Sequence, residues 1–199
     1  MSTDLKEDNR GKDPVRDFSK LILETSRLRL RPLDAPDAEP LFSIFSDPEV
    51  MRYWSSLPWT SVAEAHEMIA KDRDAMPAGK HLRLGIELRE NGDIIGNCSL
   101  FDFDEQNKRA MLGYGMARAR WGKGYMHEAL VALVGYGFSS LGFHRLEADI
   151  DPRNTGSARS LERLGFVKEG HLRERWIVGG DISDSGIYGL LRSEWRHGP

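Results

Sequence analysis

The chain of 199 residues contains one cysteine. A lone cysteine rules out a disulfide framework within the chain and fits a reducing compartment. Cys98 lies in the apolar run IIGNCSLF with no base beside it, so it reads as a small buried hydrophobe and not as a nucleophile. No apolar run approaches the ~18 residues of a membrane span. Neither sign of charge dominates, with 28 Lys and Arg against 31 Asp and Glu, which disfavours nucleic acid as the main partner. The 6 histidines show no metal-ligand spacing, and His127-Glu128 lacks the second histidine of H-E-x-x-H, so no metal is expected. No internal repeat or linker divides the chain, and its length fits one domain. The opening MSTDLKEDNRGKDPVRDFSK is polar and has no apolar core, so it is read as a flexible arm over residues 1–20 and not as a signal peptide. The expected place is the cytoplasm, with a single domain over 21–199.

What is present is a clear alternation of periods. RLRLRPL (27–33) alternates like a half-buried strand. Asp37 to Phe45 has helical spacing, VMRYWSSLPW has no clear period, and a second helix starts at Ser61, where Ser61 and Glu64 form a capping-box pattern. HLRLGIEL, IIGNCSLFDF and RAMLGYGMA read as an antiparallel meander, with Asn91-Gly92 expected at positive φ in a tight hairpin turn. A long helix follows with Met126, Ala129, Leu130, Leu133, Val134 and Phe138 on one stripe. HRLEADI is a strand, TGSARSLERLG a short helix, FVKEGHLRERWIV a strand or bent pair, and SGIYGLLRSEW the last strand. A strand, helix and strand in the middle require one parallel pair. The fold class is α/β (α+β): one mixed, mostly antiparallel twisted sheet with a central β-α-β crossover and helices on both faces.

The chemistry concentrates at RWGKGYMHEAL (120–130), where Gly122 and Gly124 stand at the mouth of the long helix. The first turn of a helix has unpaired N–H groups and the positive end of the macrodipole, a ready anion site. Glycine permits the φ/ψ of a concave turn there, and Lys123 adds a positive charge. The pattern is neither a P-loop, which needs Lys followed by Ser or Thr, nor a dinucleotide fingerprint, whose last glycine is replaced by His127.

GYGMARARWGKGYMHEAL (113–130) resembles motif A, and DPRNTGSARSLERLGF (151–166) motif B, of the GNAT superfamily of acyl-CoA-dependent N-acyltransferases. The likeness is closest to the branch of the ribosomal-protein N-terminal acetyltransferases, through Trp121 to Ala129, Asn154 with Ser157, Leu164 to Phe166, the opening Thr25 to Leu33 and the ending Asp184 to Leu191. It spans about residues 22–196. The resemblance implies acetyl-CoA as cosubstrate and no metal. The pyrophosphate would lie on the backbone of Gly122, Lys123, Gly124, Tyr125 and Met126 beside Trp121. The pantetheine would run along Met116 and Ala117, with Asn154 and Ser157 beside it, and Arg163 or Arg159 would reach the adenosine phosphates.

An amine would attack the thioester directly, with an N–H near Ala117 facing the oxyanion and Ser157 protonating the departing thiolate. Glu174 is the leading candidate base, with Asp149 and Asp151 behind it, because the glutamate many relatives carry before Gly-Tyr is here Met111. Tyr53, Trp54 and Trp59 would shape the acceptor pocket, and Asp184 and Tyr188 are read as structural. The acceptor implied is a protein N-terminal α-amine. The alternatives are a small amine (polyamine, amino acid or aminoglycoside) and a non-catalytic CoA-binding sensor. The partner is then that amine and neither a membrane nor a nucleic acid, and the chain is a monomer or homodimer.

Overall fold

The computed structural model describes residues 16–196. Two short strands, β1 (Leu23–Glu24) and β2 (Leu28–Arg31), lead into three helices, α1 (Ala38–Phe45), α2 (Pro48–Met51) and α3 (Val62–Ala75). The meander β3 (Leu82–Leu88), β4 (Ile94–Asp104) and β5 (Arg109–Met116) follows, then α4 (Tyr125–Ser139), β6 (Arg145–Ile150), α5 (Thr155–Arg163), β7 (Val167–Val178) and β8 (Asp181–Leu191). All the strands join one sheet in the order β1-β2-β3-β4-β5-β6-β8-β7. Only β5 and β6 run parallel, and α4 makes the crossover between them.

Alternation along the strands sorts residues onto two faces. Leu82, Leu84, Ile86 and Leu88 of β3, with Cys98 and Leu100 of β4, enter the larger core beneath α4, where Leu130, Leu133 and Phe138 meet them. The opposite face is covered by α1 and α3, whose Leu41, Phe45 and Ile69 form a second cluster with Leu33 and Ile94. Between these clusters the second face carries Arg83, Asn97 and Ser99 in place of aliphatic residues. Cys98 is fully buried, and burial pushes its thiol up to about 12, so it packs as an inert hydrophobe.

Local signals set most boundaries. Ser61 caps α3, its hydroxyl accepting from the Ala63 N–H at 3.2 Å, while Glu64 accepts from the N–H of Thr60 at 2.7 Å. Two expectations need correction. The turn after β3 is longer than a two-residue hairpin, closed by Gly92 N–H to the Leu88 carbonyl at 2.8 Å. Only Gly92 has positive φ there, because the Asn91 side chain instead bonds Asp93. Of the arm expected over residues 1–20, residues 1–15 lie outside the described ones. Residues 16–20 belong to the body: Phe18 is buried, its N–H bonds the Met76 carbonyl, and Arg16 bonds Glu105 and the Leu141 carbonyl.

His81, just before β3, is largely buried beside Asp72, Arg83 and Phe101. Burial first, and the Arg83 charge second, push its imidazole down to about 4. Between that value and the ~6.5 of a free histidine, the unfolded chain binds more protons than the folded one. Stability should therefore fall as pH drops through this window. Asp72, raised by burial against the pull of Arg83, adds a slope of opposite sign at the acid end. Urea midpoints measured from pH 7 to pH 4 should show the decline, and His81→Asn should flatten it.

Candidate active site

The site starts where two strands part. β5 and β6 pair only from Arg109↔Arg145 to Met111↔Glu147, and β5 then runs on to Met116 without β6. The Ala117 N–H donates to the Ile95 carbonyl at 2.9 Å. By strand parity the odd residues of β5 therefore face β4, and Tyr114 and Met116 turn their backbone groups toward the gap. The Met116 carbonyl accepts from the Trp121 indole at 2.8 Å. The N–H groups of Tyr114 and Met116 and the Tyr114 carbonyl lie past the last β5–β6 pair, on the side away from β4. An extended polar chain could pair with this edge as an added strand. The oxyanion donor expected near Ala117 is accordingly not Ala117 itself, whose N–H is engaged, and Met116 offers the open one.

The Trp121 bond folds the chain back so that the glycine turn lies at the mouth of this gap. Gly122 and Gly124 both sit at positive φ, +72° and +78°, the second as the left-handed N-cap of α4. No backbone acceptor among the described residues takes the N–H groups of Gly122 to Met126, so the first turn of α4 presents a row of donors at its positive end. A Cβ built on Gly122 meets nothing within 4 Å, so the backbone conformation, and not crowding, requires glycine there. Lys123 makes no ion pair among the described residues, whereas Arg118 and Arg120 are tied to Asp47 and Asp93.

This turn is pinned from outside. Glu128, in the first turn of α4, accepts from the Thr25 hydroxyl at 2.6 Å, the Ser26 hydroxyl at 3.0 Å, and the Arg27 N–H and Nε at 2.8 and 2.6 Å. Arg27 also donates to the Lys123 carbonyl at 3.0 Å and lies over the Tyr125 ring at 4.5 Å. Burial works to raise the Glu128 carboxyl, but the hydrogen bonds from Thr25, Arg27 and Ser26 outweigh it and hold the group at about 2.

The gap opens into a cavity of about 550 Å³ on the α1–α3 face. Its floor is Arg83, Asn97, Ser99, Phe101, Met111 and Gly113, and its roof includes Phe45, Tyr53, Trp54, Trp59 and Met68. Gly115 makes room for that roof, since a Cβ there would come within 2.8 Å of the Phe45 and Trp54 rings. Asp149, Asp151, Asn154, Ser157, Arg175 and Trp176 close the far side.

Asp149 Oδ2 accepts from Arg175 Nε at 3.0 Å, while Oδ1 is buried with no hydrogen-bond partner. Asp151 is fully committed to Arg153. Asn154 caps α5, its Oδ1 accepting the Ser157 N–H at 3.0 Å, which leaves its amide NH2 for another partner. The Ser157 hydroxyl lies 2.7 Å from the Tyr114 hydroxyl.

Of the residues singled out from sequence, Tyr53, Trp54, Trp59, Asn154 and Ser157 meet around the cavity, and Met116 with 121–126 lines the mouth of the gap. Arg163 stands in the last turn of α5, exposed and about 13 Å along the axis from Asn154. Glu174 is not at the cavity. It is exposed, at φ +51° in an irregularity of β7, its N–H bonded to Asp184 at 2.8 Å. It lies within the register slip between Leu172 and Trp176, where no residue of β8 pairs with it. Tyr114, His81 and Arg83 were not foreseen. For Tyr114 and Arg83 the signal is a polar or aromatic side chain at an inward strand position with nothing apolar to match; His81 sits just before β3.

Comparison with known proteins gives the family. The family described as acetyltransferase (GNAT) domain matches residues 27–167. The chain is 39% identical over 173 residues to the uncharacterized N-acetyltransferase p20 of Bacillus licheniformis, covering 87% of this chain and 97% of that one. It is 29% identical over 196 residues to the [ribosomal protein uS5]-alanine N-acetyltransferase of Escherichia coli, covering 90% and 95%. Spermidine N-acetyltransferase from Vibrio cholerae, solved with CoA and spermine, superposes with a TM-score of 0.76 at 25% identity over 85% of this chain and 98% of that one.

Replacing Glu128 with Ala strands several donors around Arg27 and frees the start of α4. The expected loss is about 1–3 kcal/mol in unfolding free energy, read from urea denaturation at pH 7. The wild-type advantage should persist down to the ordinary carboxylate range and disappear as pH falls toward 2, because a carboxyl held low is stabilising only while ionised.

Proposed function

The chain belongs to the acetyltransferase (GNAT) domain family, and from that premise we propose that it moves acetyl from acetyl-CoA to the α-amine of a protein N-terminus. The cosubstrate fits the residues present. The Gly122–Met126 N–H row suits a diphosphate, the open edge of Tyr114 and Met116 suits the amides of a pantetheine arm, and the Asn154 amide can complete their pairing. The cosubstrate supplies an acetyl group already activated as a thioester. Among the described residues no group of His, Cys, Asp or Glu is placed to hold a metal, and no described helix is long and apolar enough to cross a membrane.

The protein's own part is to place the amine, accept its proton and face the charges that develop. Asp149 Oδ1, buried and unpartnered at the cavity wall, can take a hydrogen bond from the incoming amine and pass its proton to water. The Met116 N–H faces the gap where the carbonyl oxygen becomes negative. Ser157 can donate to the departing sulfur, whose thiol has pKa near ~8.5. The N–C bond forms and the C–S bond breaks with no bond to the enzyme.

The acceptor reading is carried by how the cavity's charges are arranged. Asp149 and Asp151 are each ion-paired, to Arg175 and Arg153, and Arg83 is paired with Asp72. Such a wall suits one amine on an apolar, amide-bearing body better than a polycation. The uS5-alanine N-acetyltransferase among the relatives supports it. Asp102 favours the second reading, a small polyamine, because it lines the cavity without an ion pair among the described residues.

Release of free thiol with a panel of short peptides, spermidine and single amino acids tests the proposal. Peptides with a small N-terminal residue should turn over fastest; turnover of spermidine alone would refute the acceptor. Peptide kcat/KM should climb with pH toward the ~8 of an α-amine, and Asp149→Asn should lower it by about 10²–10⁴-fold.

A further inference from the structure

Beyond the row of groups just assigned, a side-chain contact joins β5 to α5 across the gap. Tyr114 lies past the last paired residues of these strands. Its hydroxyl reaches Ser157 in the first turn of α5, 2.7 Å from the Ser157 hydroxyl and 3.3 Å from the Ser157 carbonyl. The geometry points to Tyr114 as a positioning residue that fixes the Ser157 hydroxyl so that its proton is aimed at the departing sulfur.

The argument turns on one proton. A serine hydroxyl has one hydrogen and two lone pairs. If Ser157 donated to Tyr114, that hydrogen would be unavailable to a thiolate. The one Tyr114 hydrogen has two acceptors in reach, the Ser157 hydroxyl at 2.7 Å and the Ser157 carbonyl at 3.3 Å; the nearer one takes it, and a phenol, being the stronger acid, is the better donor of the pair. Tyr114 then occupies one lone pair of Ser157 and leaves the serine hydrogen free. The tyrosine keeps its own proton across any practical assay range, since burial pushes it up to about 12 against the pull of the Ser157 hydrogen bond. It remains a donor and does not itself supply the proton.

The serine backbone is held as well, its N–H bound by Asn154. The hydroxyl is thus set from two sides: its main chain by the cap of α5, its rotor by a side chain from the opposite strand. Both hydroxyl-bearing residues line the cavity.

This inference rests on the reading of Ser157 as donor to the leaving sulfur, and a double-variant cycle separates the two. Tyr114→Phe removes one oxygen. It should lower kcat about tenfold, the worth of one hydrogen bond in a barrier, with KM for acetyl-CoA and the calorimetric Kd for CoA unchanged within twofold. Ser157→Ala should lower kcat at least as much, and the double variant should be no slower than Ser157→Ala alone. Tyr114→3-fluorotyrosine keeps ring and donor and should retain wild-type kcat at pH 7.

An unchanged kcat in Tyr114→Phe, or losses that multiply in the double variant, overturns the positioning role. A fluorotyrosine variant as slow as Phe does so too. An unchanged kcat in Ser157→Ala with CoA still bound overturns instead the reading beneath it. If Tyr114→Phe melts below the assay temperature, the fluorotyrosine variant and Ser157→Ala decide the matter alone.

Discussion

Unsatisfied main-chain hydrogen bonds organise this molecule. A sheet of eight strands closes nearly every ladder, yet β5 and β6 are parallel neighbours that part after Met111 and Glu147. Parallel strands need a long crossover, and here the helix that makes it begins with another set of unpaired donors. Two kinds of open backbone, a strand edge and a helix start, therefore lie beside one another and are joined by the Trp121 bond to Met116. Buried or semi-buried polar backbone demands partners. An extended molecule with amides along its length and a diphosphate at its end answers both demands at once.

Such an arrangement works only if the helix start cannot swing. Propensity alone would leave it loose, because Gly122 and Gly124 lower the local preference for helix. Stiffness comes from elsewhere in the chain: residues 25–27, at the turn between β1 and β2, hold Glu128 and the Lys123 carbonyl. The N-terminal strands thus matter to the cradle although they lie far from it in sequence. On the other side of the sheet, Gly115 lets Phe45 and Trp54 approach β5. The roof of the cavity is in this way set by an absence of side chain on its floor.

Much of this was readable from residues alone. Period-two runs and capping signals located the meander and α3 to within a residue or two, and the stripe from Ala129 to Phe138 placed α4 against the core. The glycine turn was legible because helix starts have chemistry independent of tertiary context. What the sequence did not show has two causes, side-chain direction and segments too short to carry a period. Glu174 was a fair candidate on spacing, but it falls inside a register slip of β7 where no residue of β8 pairs with it, and spacing carries no trace of that slip. Asp149 could not be ranked above it before the Arg175 pairing and the bare Oδ1 were seen. Phe18 looked like part of a polar arm because one buried aromatic among charged neighbours has no period to reveal it. Short α2 escaped notice for the same reason.

The irregularity that holds Glu174 also bears on the border of the sheet. β7 is the outermost strand on its side of the sheet and twelve residues long, the length at which an open border can recruit a strand from another molecule. Between Leu172 and Trp176 the register slips, with Glu174 in a left-handed conformation and Arg173 and Arg175 on either side. The opposite border needs no such interruption, since β1 has two residues. A kink carrying three charges, with a second register slip between Lys168 and Gly170, therefore interrupts this outer edge in the way edge strands are commonly broken up.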